Sequence, residues 1–258
     1  MGRGAHACSA KGAATPTAGK TRDKIGCMSI HFTSTAAWRT AYPGAMIGVL
    51  AIGGVANPAD HPGLEARKAE LESRLRREFG SASKAELRSQ PALQAYAAYY
   101  KAFSKTYHIQ LQLESVVYKG KTIPGVAALV EAMFMAELED MLLTAGHDLD
   151  ALQGVPSVDV ATGAEEYVMM NSRPQILKRG DMFIHDAAGV LSSILYGPAA
   201  RARITPETRR VLFTVYAPAG IEFEPLEGHL GRLVDHVQLV APGSLVEHRE
   251  IIRTSVQP

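Results

Sequence analysis

The sequence predicts an α+β domain, with helices mostly in its first half and a sheet mostly in its second half. Hydrophobic residues make up 47% of the 258 residues, which is enough for a sizeable buried core. Apolar residues recur at helical spacing within residues 64–143, whereas short strand-like segments follow residue 155. Helices and strands that are segregated along a chain are typical of α+β folds.

Residues 1–27 differ from the rest of the chain. They are rich in Gly, Ala, Thr and basic residues, have Asp23 as their single acid, and hold both cysteines. We expect a disordered tail or a non-native start, with Met28 as the true first residue. Residues 14–21 approach a phosphate-binding loop but lack a preceding apolar strand, so we attribute the match to chance. The predicted folded domain is residues 28–258, and its lack of cysteine favours a reducing cytoplasm.

The first half of this domain is predicted to contain one strand and four helices. The strand is an apolar run at residues 46–55, too short to span a membrane. The predicted helices cover residues 64–79, 91–105, 114–118 and 125–143. The second helix carries a tyrosine stripe, which we interpret as core packing rather than a base-stacking surface. The fourth helix is apolar on most sides, which predicts a central position.

The second half is predicted to contain three main strands and a final helix. Strands at residues 181–185 and 190–196 flank a turn that ends in Gly189, where a positive φ is expected. A third strand covers residues 211–217, and an amphipathic helix covers residues 228–240. No internal repeat or long linker interrupts this order.

Charge and motifs exclude several function classes. The formal net charge is +1, so any contact with a nucleic acid must come from a local basic patch. No G-x-S-x-G or H-E-x-x-H motif is present, and the predicted domain has no cysteine nucleophile. We therefore predict no metal, no cofactor and no membrane partner.

The segment Gly146-His147-Asp148-Leu149-Asp150 is a candidate site. Gly146 would permit a sharp turn after the predicted fourth helix and leave the His147 imidazole facing a cleft. A neutral imidazole can orient water or a ribose hydroxyl. The alternatives are a surface histidine in a loop, or a metal site with Asp148 and Asp150. We favour a capping role for the two carboxylates over metal binding.

Four arginines surround the start of the third strand, with Glu207 as the nearest acid. They are Arg201, Arg203, Arg209 and Arg210. Such a cluster could hold RNA phosphates, although a solvated charged loop is an equal alternative.

Three segments together resemble a known family. Residues 194–198 read Ile-Leu-Tyr-Gly-Pro, and residues 203–217 continue from Arg-Ile-Thr-Pro-Glu-Thr into an apolar strand. Upstream lie the helix at residues 129–138 and the histidine segment at residues 146–150. In order and spacing they resemble the tRNA-binding and editing module, called B3/B4, of the phenylalanyl-tRNA synthetase β subunit. The resemblance covers about residues 115–218.

This resemblance implies a layered β/β/α fold with an editing pocket between its two halves. The synthetase module hydrolyses tyrosine that is wrongly esterified to the phenylalanine tRNA. By resemblance, His147 lies beside the terminal ribose, and Ser192 and Ser193 line the amino-acid pocket. Tyr196 and Gly197 are further substrate-binding residues by the same resemblance.

Two positions depart from the family pattern. Thr214 stands where the synthetase module has a glutamate that recognises the tyrosine hydroxyl, so tyrosine specificity does not carry over. Glu131-Ala132 stands where the module has a Thr-Asn pair, and Glu131 and Thr214 remain among the substrate-binding residues that the resemblance implies.

Three hypotheses follow. The first is a trans-acting editing hydrolase that binds the acceptor end of a tRNA through Arg201, Arg203 and Arg209. The second is a module that binds RNA or an amino-acid-like ligand without turnover. The third is a metal-dependent hydrolase at His147. We rank them in this order, with no DNA partner expected and the oligomeric state open.

Overall fold

A computed structural model describes residues 30–254. The expectations for residues 1–27 and for Met28 as the first residue therefore lie outside the described residues. The helices are α1 (Ala36–Ala41), α2 (Pro62–Phe79), α3 (Lys84–Arg88), α4 (Pro91–Ala102), α5 (His108–Lys119), α6 (Ala128–Asp140) and α7 (Phe223–Val240). The strands are β1 (Thr33–Ser34), β2 (Met46–Gly53), β3 (Leu143–Asp148), β4 (Ser157–Val160), β5 (Glu166–Val168), β6 (Pro174–Ile176), β7 (Met182–Asp186), β8 (Gly189–Ser193), β9 (Gly197–Pro198), β10 (Arg210–Ala217) and β11 (Leu245–Arg253). The predicted α+β class, with helices mostly first, is confirmed.

The strands form two main sheets. The inner sheet has the order β11-β2-β10-β3, and all of its pairs are antiparallel. The outer sheet has the order β1-β4-β7-β8-β9. Strands β5 and β6 form a separate two-stranded ribbon.

Side-chain contacts define three layers, sheet on sheet on helices. On one face of the inner sheet, a Cβ added at Gly48 would lie 3.1 Å from Leu226 and 3.2 Å from Leu230 of α7. On the other face, the Tyr216 hydroxyl donates to the Ser192 carbonyl of the outer sheet at 3.0 Å. The inner sheet is therefore buried on both faces, which explains why all eight residues of β2 are buried.

The tyrosine stripe of α4 ties the layers together, which confirms the packing interpretation. The hydroxyl of Tyr96 donates to the Tyr216 carbonyl of the inner sheet. The hydroxyls of Tyr99 and Tyr100 reach Asp181 and the Ile194 carbonyl beside the outer sheet. A buried tyrosine needs a partner for its hydroxyl, and each of these has one.

Two helix predictions need correction. The helix predicted at residues 125–143 is shorter, because Met141 has a left-handed φ of 60° and ends α6 at Asp140. The helix predicted at residues 114–118 belongs to the longer α5.

The last predicted element is a helix, whereas in the structure strand β11 follows α7. This strand carries five charged or histidine residues among nine, so it lacks clear alternation. Charged residues are common on edge strands, where they discourage pairing with other molecules. Among the described residues, no helix is both long and apolar enough to span a lipid bilayer.

Candidate active site between the two sheets

The candidate site begins with two neighbouring strands of the inner sheet. His147 of β3 is paired with Leu212 of β10, and Ala145 is paired with Thr214. Partners in an antiparallel pair lie on the same face, and alternate residues share a face. Tyr216 reaches the outer sheet, so Thr214 and His147 also face the layer between the sheets.

The predicted position of His147 at a turn is wrong. The residue lies within β3, and its exposed fraction is 0%. Gly146 is also a strand residue, where a Cβ would lie 2.8 Å from the Ile204 side chain. Close packing, rather than a turn, therefore requires glycine there. The turn after α6 is made by Met141, and the imidazole of His147 does not face an open cleft.

His147 is a buried histidine without hydrogen bonds. Within residues 30–254, neither ring nitrogen has a partner. Burial, reinforced by the Arg201 charge and opposed by Asp186, lowers the pKa of His147 to about 4. The imidazole is therefore neutral at pH 7 and keeps one free donor and one free acceptor. Because unpaired buried polar groups are destabilising, this residue is an outlier among native side chains.

The two predicted pocket serines are buried and already hydrogen-bonded. The Ser192 hydroxyl lies 2.8 Å from the Tyr216 hydroxyl, and Ser193 donates to Asp181. Burial raises the pKa of Asp181 to about 7, although hydrogen bonds from Ser193 and Tyr99 oppose this rise. Both hydroxyls therefore stabilise the packing of the outer sheet in this conformation.

Thr214 lies at the centre of the inter-sheet layer. It is 0% exposed, and its hydroxyl donates to the Ala145 carbonyl at a long 3.4 Å. A bond of this length is weak, so the hydroxyl is available to a ligand that enters the layer.

Glu131 lies apart from these residues. It belongs to the first turn of α6, in the helix layer, and forms a 2.9 Å ion pair with the buried Lys68. Its other oxygen accepts the Val126 N–H at 2.8 Å. These contacts position the segment before α6, and the structure does not bring Glu131 into the inter-sheet layer.

Tyr196 and Gly197 line an open cavity of about 470 Å³ at the turn between β8 and β9. The Lys105 ammonium lies 4.3 Å from the centroid of the Tyr196 ring. His108 and Thr106 line the opposite side of the cavity. Gly197 has a φ of 83°, a conformation that favours glycine. This cavity is the open surface next to the strand that carries Ser192 and Ser193.

Two of the four predicted arginines, Arg201 and Arg210, are neutralised by acids. Arg201 donates to Asp186 at 2.5 Å and 3.2 Å, and also to two backbone carbonyls. Arg210 pairs with Glu247 and Asp150. Arg209 is exposed and donates to the carbonyls of Pro206 and Thr208, and Arg203 is exposed. Acids that are distant in sequence therefore supply the compensating charge that the local sequence lacks.

Asp148 and Asp150 have structural partners. One Asp148 oxygen accepts the Asp150 N–H at 3.0 Å, and the other accepts the Thr208 hydroxyl at 2.6 Å. This confirms the capping interpretation of Asp148. In the part of the chain that the structure describes, no three potential metal-ligating side chains gather in one place.

Three residues near the site are not among the predicted site residues. Asp186 binds Arg201, and Tyr216 binds Ser192, through contacts between distant segments. Lys105 was included only as the end of a helix, although it lies over Tyr196. Of these three, only Tyr216 could have been recognised from the sequence. It lies near the end of an apolar strand, and a buried tyrosine requires a hydrogen-bond partner.

Comparisons with known proteins add little to this geometry. The sequence matches no protein-family model, and no curated protein matches it at a significant level. Among solved structures, an N-terminal fragment of the phenylalanyl-tRNA synthetase β-subunit from Pyrococcus horikoshii is similar, with 10% identity and a TM-score of 0.46. The match covers 86% of this chain and 54% of that fragment, so the chain spans about half of its length. A likeness this distant carries no argument about activity.

Proposed function

We propose that this chain binds the acceptor end of a tRNA and hydrolyses the ester of a mischarged aminoacyl-tRNA. The observation that carries the proposal is the neutral, unpartnered imidazole of His147 in the inter-sheet layer, on the same face as Thr214. Buried polar groups without partners are rare in native proteins, and a ligand that pairs with them recovers the lost hydrogen bonds. The sequence resemblance to a tRNA editing module supports the same position.

Access to His147 requires an opening, because the imidazole is fully buried. One short edge strand of the outer sheet is β9, which pairs with β8 at Ser192↔Pro198 and Ser193↔Gly197. The cavity beside Tyr196 adjoins this edge. We propose that the terminal nucleotide enters there, with its base against Tyr196 and a phosphate near Lys105. Displacement of β9 would then separate it from Ser192 and Ser193, with which it pairs.

Ester hydrolysis needs no covalent nucleophile here. Water attacks the ester carbonyl, the bond from carbonyl carbon to ribose oxygen breaks, and a proton passes from the water to that oxygen. A group whose pKa is about 4 is a weak base, so the role of His147 is to orient the water or the ribose hydroxyl. Positioning alone contributes a large rate factor when the ester is already activated.

The test is a deacylation screen of the full chain against a panel of mischarged tRNAs. We expect hydrolysis of at least one, and about a 100-fold lower rate for His147→Leu with unchanged tRNA affinity. His61→Leu is the matched control, because it removes another imidazole with a buried unpartnered nitrogen, at the start of α2. Equal rates for wild type and His147→Leu would refute the assignment of His147.

A second candidate function is ligand binding without turnover. The observation that favours it is that Ser192 and Arg201 are already engaged by Tyr216 and Asp186. It predicts salt-dependent tRNA binding with no hydrolysis of any ester in the panel. Binding without hydrolysis in the same screen would therefore replace the first proposal with this one.

A further inference from the structure

A groove crosses the helix layer, on the far side of the inner sheet from His147. It lies between α2 and α7, with α6 contributing to its lining, and encloses about 730 Å³. A second cavity of about 330 Å³ continues it and shares Arg67, Glu70 and His236 with it. Known ligand sites have volumes of about 300–1,000 Å³, so the groove has the size of a small-molecule site.

Arginines dominate the lining of the larger cavity. They are Arg67, Arg74, Arg77 and Arg232, facing the two acids Glu70 and Glu139. Glu139 accepts from Arg74 at 2.5 Å and from Arg232 at 2.7 Å, so one carboxylate holds two guanidinium groups in place.

The other two arginines are weakly compensated. Arg67 lies 3.5 Å from Glu70 in an ion pair whose side chains are 54% and 72% exposed, where solvent screens the attraction. Arg77 has no ion-pair or hydrogen-bond partner among residues 30–254. Asp235 lines the second cavity and Asp140 also accepts from Arg232, so the uncompensated positive charge of the groove is that of Arg77.

A buried histidine lies where the two cavities meet. His236 is 2% exposed, and its Nε2 has no hydrogen-bond partner in the described chain. The nearest carboxylate oxygen, on Glu139, is 3.9 Å away and too distant for a hydrogen bond. Burial lowers the pKa of His236 to about 4, and Arg67 and Arg232 reinforce this while Glu139 opposes it. The imidazole is thus neutral and able to donate one hydrogen bond into the groove.

We propose that this groove binds a small anion that carries a phosphate group. A phosphate monoester has close to two negative charges and three terminal oxygens, so it can accept from Arg77, from a second guanidinium and from His236 at once. A carboxylate carries only one negative charge, so it would compensate the guanidinium groups less than a phosphate monoester does. The organic part of the ligand would lie along Gly63, Ala66 and Leu239 in the second cavity.

The depth of His236 favours a small anion over an RNA backbone. A 2% exposed imidazole can be reached by a single phosphate group that enters the groove. A duplex backbone remains on the outer surface, where it would contact Arg67 and Arg77 but not His236. This site is independent of the proposed inter-sheet function, so the two proposals fail separately.

The experiment is isothermal titration calorimetry of the full chain with inorganic pyrophosphate, inorganic phosphate and AMP. We expect saturable binding of one ligand per chain, with a Kd below about 10 mM. Arg77→Glu should weaken it at least tenfold, and Arg173→Glu, which makes the same charge change on an exposed residue near the β5–β6 ribbon, should not. His236→Leu should also weaken binding about tenfold while leaving the melting temperature unchanged or higher.

Three outcomes would overturn the proposal. The first is no saturable heat with any of the three anions. The second is equal weakening by Arg77→Glu and Arg173→Glu, since a general electrostatic field would then explain the binding. The third is an absence of small-anion binding together with tRNA binding that falls in Arg77→Glu, which would assign the groove to an RNA backbone.

Discussion

A buried histidine lies against each face of the inner sheet, and the two histidines differ in their hydrogen bonds. On the helix face, His229 of α7 is 0% exposed and fully paired: its Nδ1–H donates to Asp140 at 2.9 Å, and its Nε2 lies 2.8 Å from the Thr144 hydroxyl. On the inter-sheet face, His147 is equally buried, yet neither ring nitrogen has a partner in the described chain. The two histidines meet the same strand, because Thr144, the partner of His229, and His147 are both residues of β3.

The difference separates a structural histidine from a candidate functional one. The pairing of His229 extends to Arg232, which also donates to Asp140 at 2.9 Å. Burial raises the pKa of Asp140, but the hydrogen bonds from His229 and Arg232 outweigh it and lower that pKa. Both ring nitrogens of His229 are hydrogen-bonded in this network. Neither ring nitrogen of His147 forms a hydrogen bond in the described chain, which is typical of groups retained for binding or catalysis.

The largest expected effect is on the helix face. His229→Leu should lower the free energy of unfolding by about 4 kcal/mol, because it leaves Thr144 and part of Asp140 buried without a partner. Urea denaturation at pH 7 measures this change. A loss below about 1 kcal/mol would show that the network is not structural and would remove the contrast with His147.

The next effect concerns acid pH and His147. Its folded pKa of about 4 lies below its ordinary value of 6.5, so the unfolded chain binds the proton first as pH falls. Proton binding by His147 therefore costs no stability above pH 6.5, and this penalty grows to about 3 kcal/mol as pH falls towards 4. His147→Leu should equal or exceed wild type in stability at pH 7 and lose about 3 kcal/mol less between pH 7 and pH 4. Parallel pH profiles of the two proteins would contradict a buried neutral imidazole.

A smaller effect is expected for the hydroxyl that joins the two sheets. Tyr216→Phe removes the bonds to the Ser192 hydroxyl and carbonyl, at a cost of about 1–2 kcal/mol in the free energy of unfolding. Tyr118→Phe is the control, because its hydroxyl bonds one carbonyl in a partly exposed position. If the two variants lose equal stability, the hydrogen bond between the sheets stabilises the fold no more than a partly exposed one does.

The smallest effect is expected at Thr214. Thr214→Val keeps the shape of the side chain and removes only a 3.4 Å hydrogen bond, so the free energy of unfolding should change by less than about 0.5 kcal/mol. Under the proposed function, the same change should alter which aminoacyl ester is hydrolysed fastest in the deacylation panel. Unchanged preference together with unchanged stability would place Thr214 outside the site.

Periodicity and turn chemistry predicted the fold class and most elements. Gly189, for example, has the positive φ expected of the turn between β7 and β8. The site was harder to predict than the fold, because its geometry depends on contacts between distant segments. Gly146 indicated a turn by its residue type, but in β3 it is required by the packing of Ile204 and Phe213. Arg201 looked free to bind phosphate because Asp186, its partner, lies 15 residues away.

The position of β2 sets the order in which this protein can fold. Within residues 30–254, residues 46–53 pair only with residues 210–217 and 245–253, so in that part of the chain β2 has no local partner. Helices α2 to α6 form from contacts within short stretches, whereas closing these long loops costs chain entropy before any strand pair forms. During synthesis, this eight-residue apolar strand therefore has no partner strand until β10 emerges, and β10 begins at residue 210, 157 residues after β2 ends at residue 53. An apolar strand that is exposed without its partners is prone to aggregation, so we expect the nascent chain to be most vulnerable during that interval.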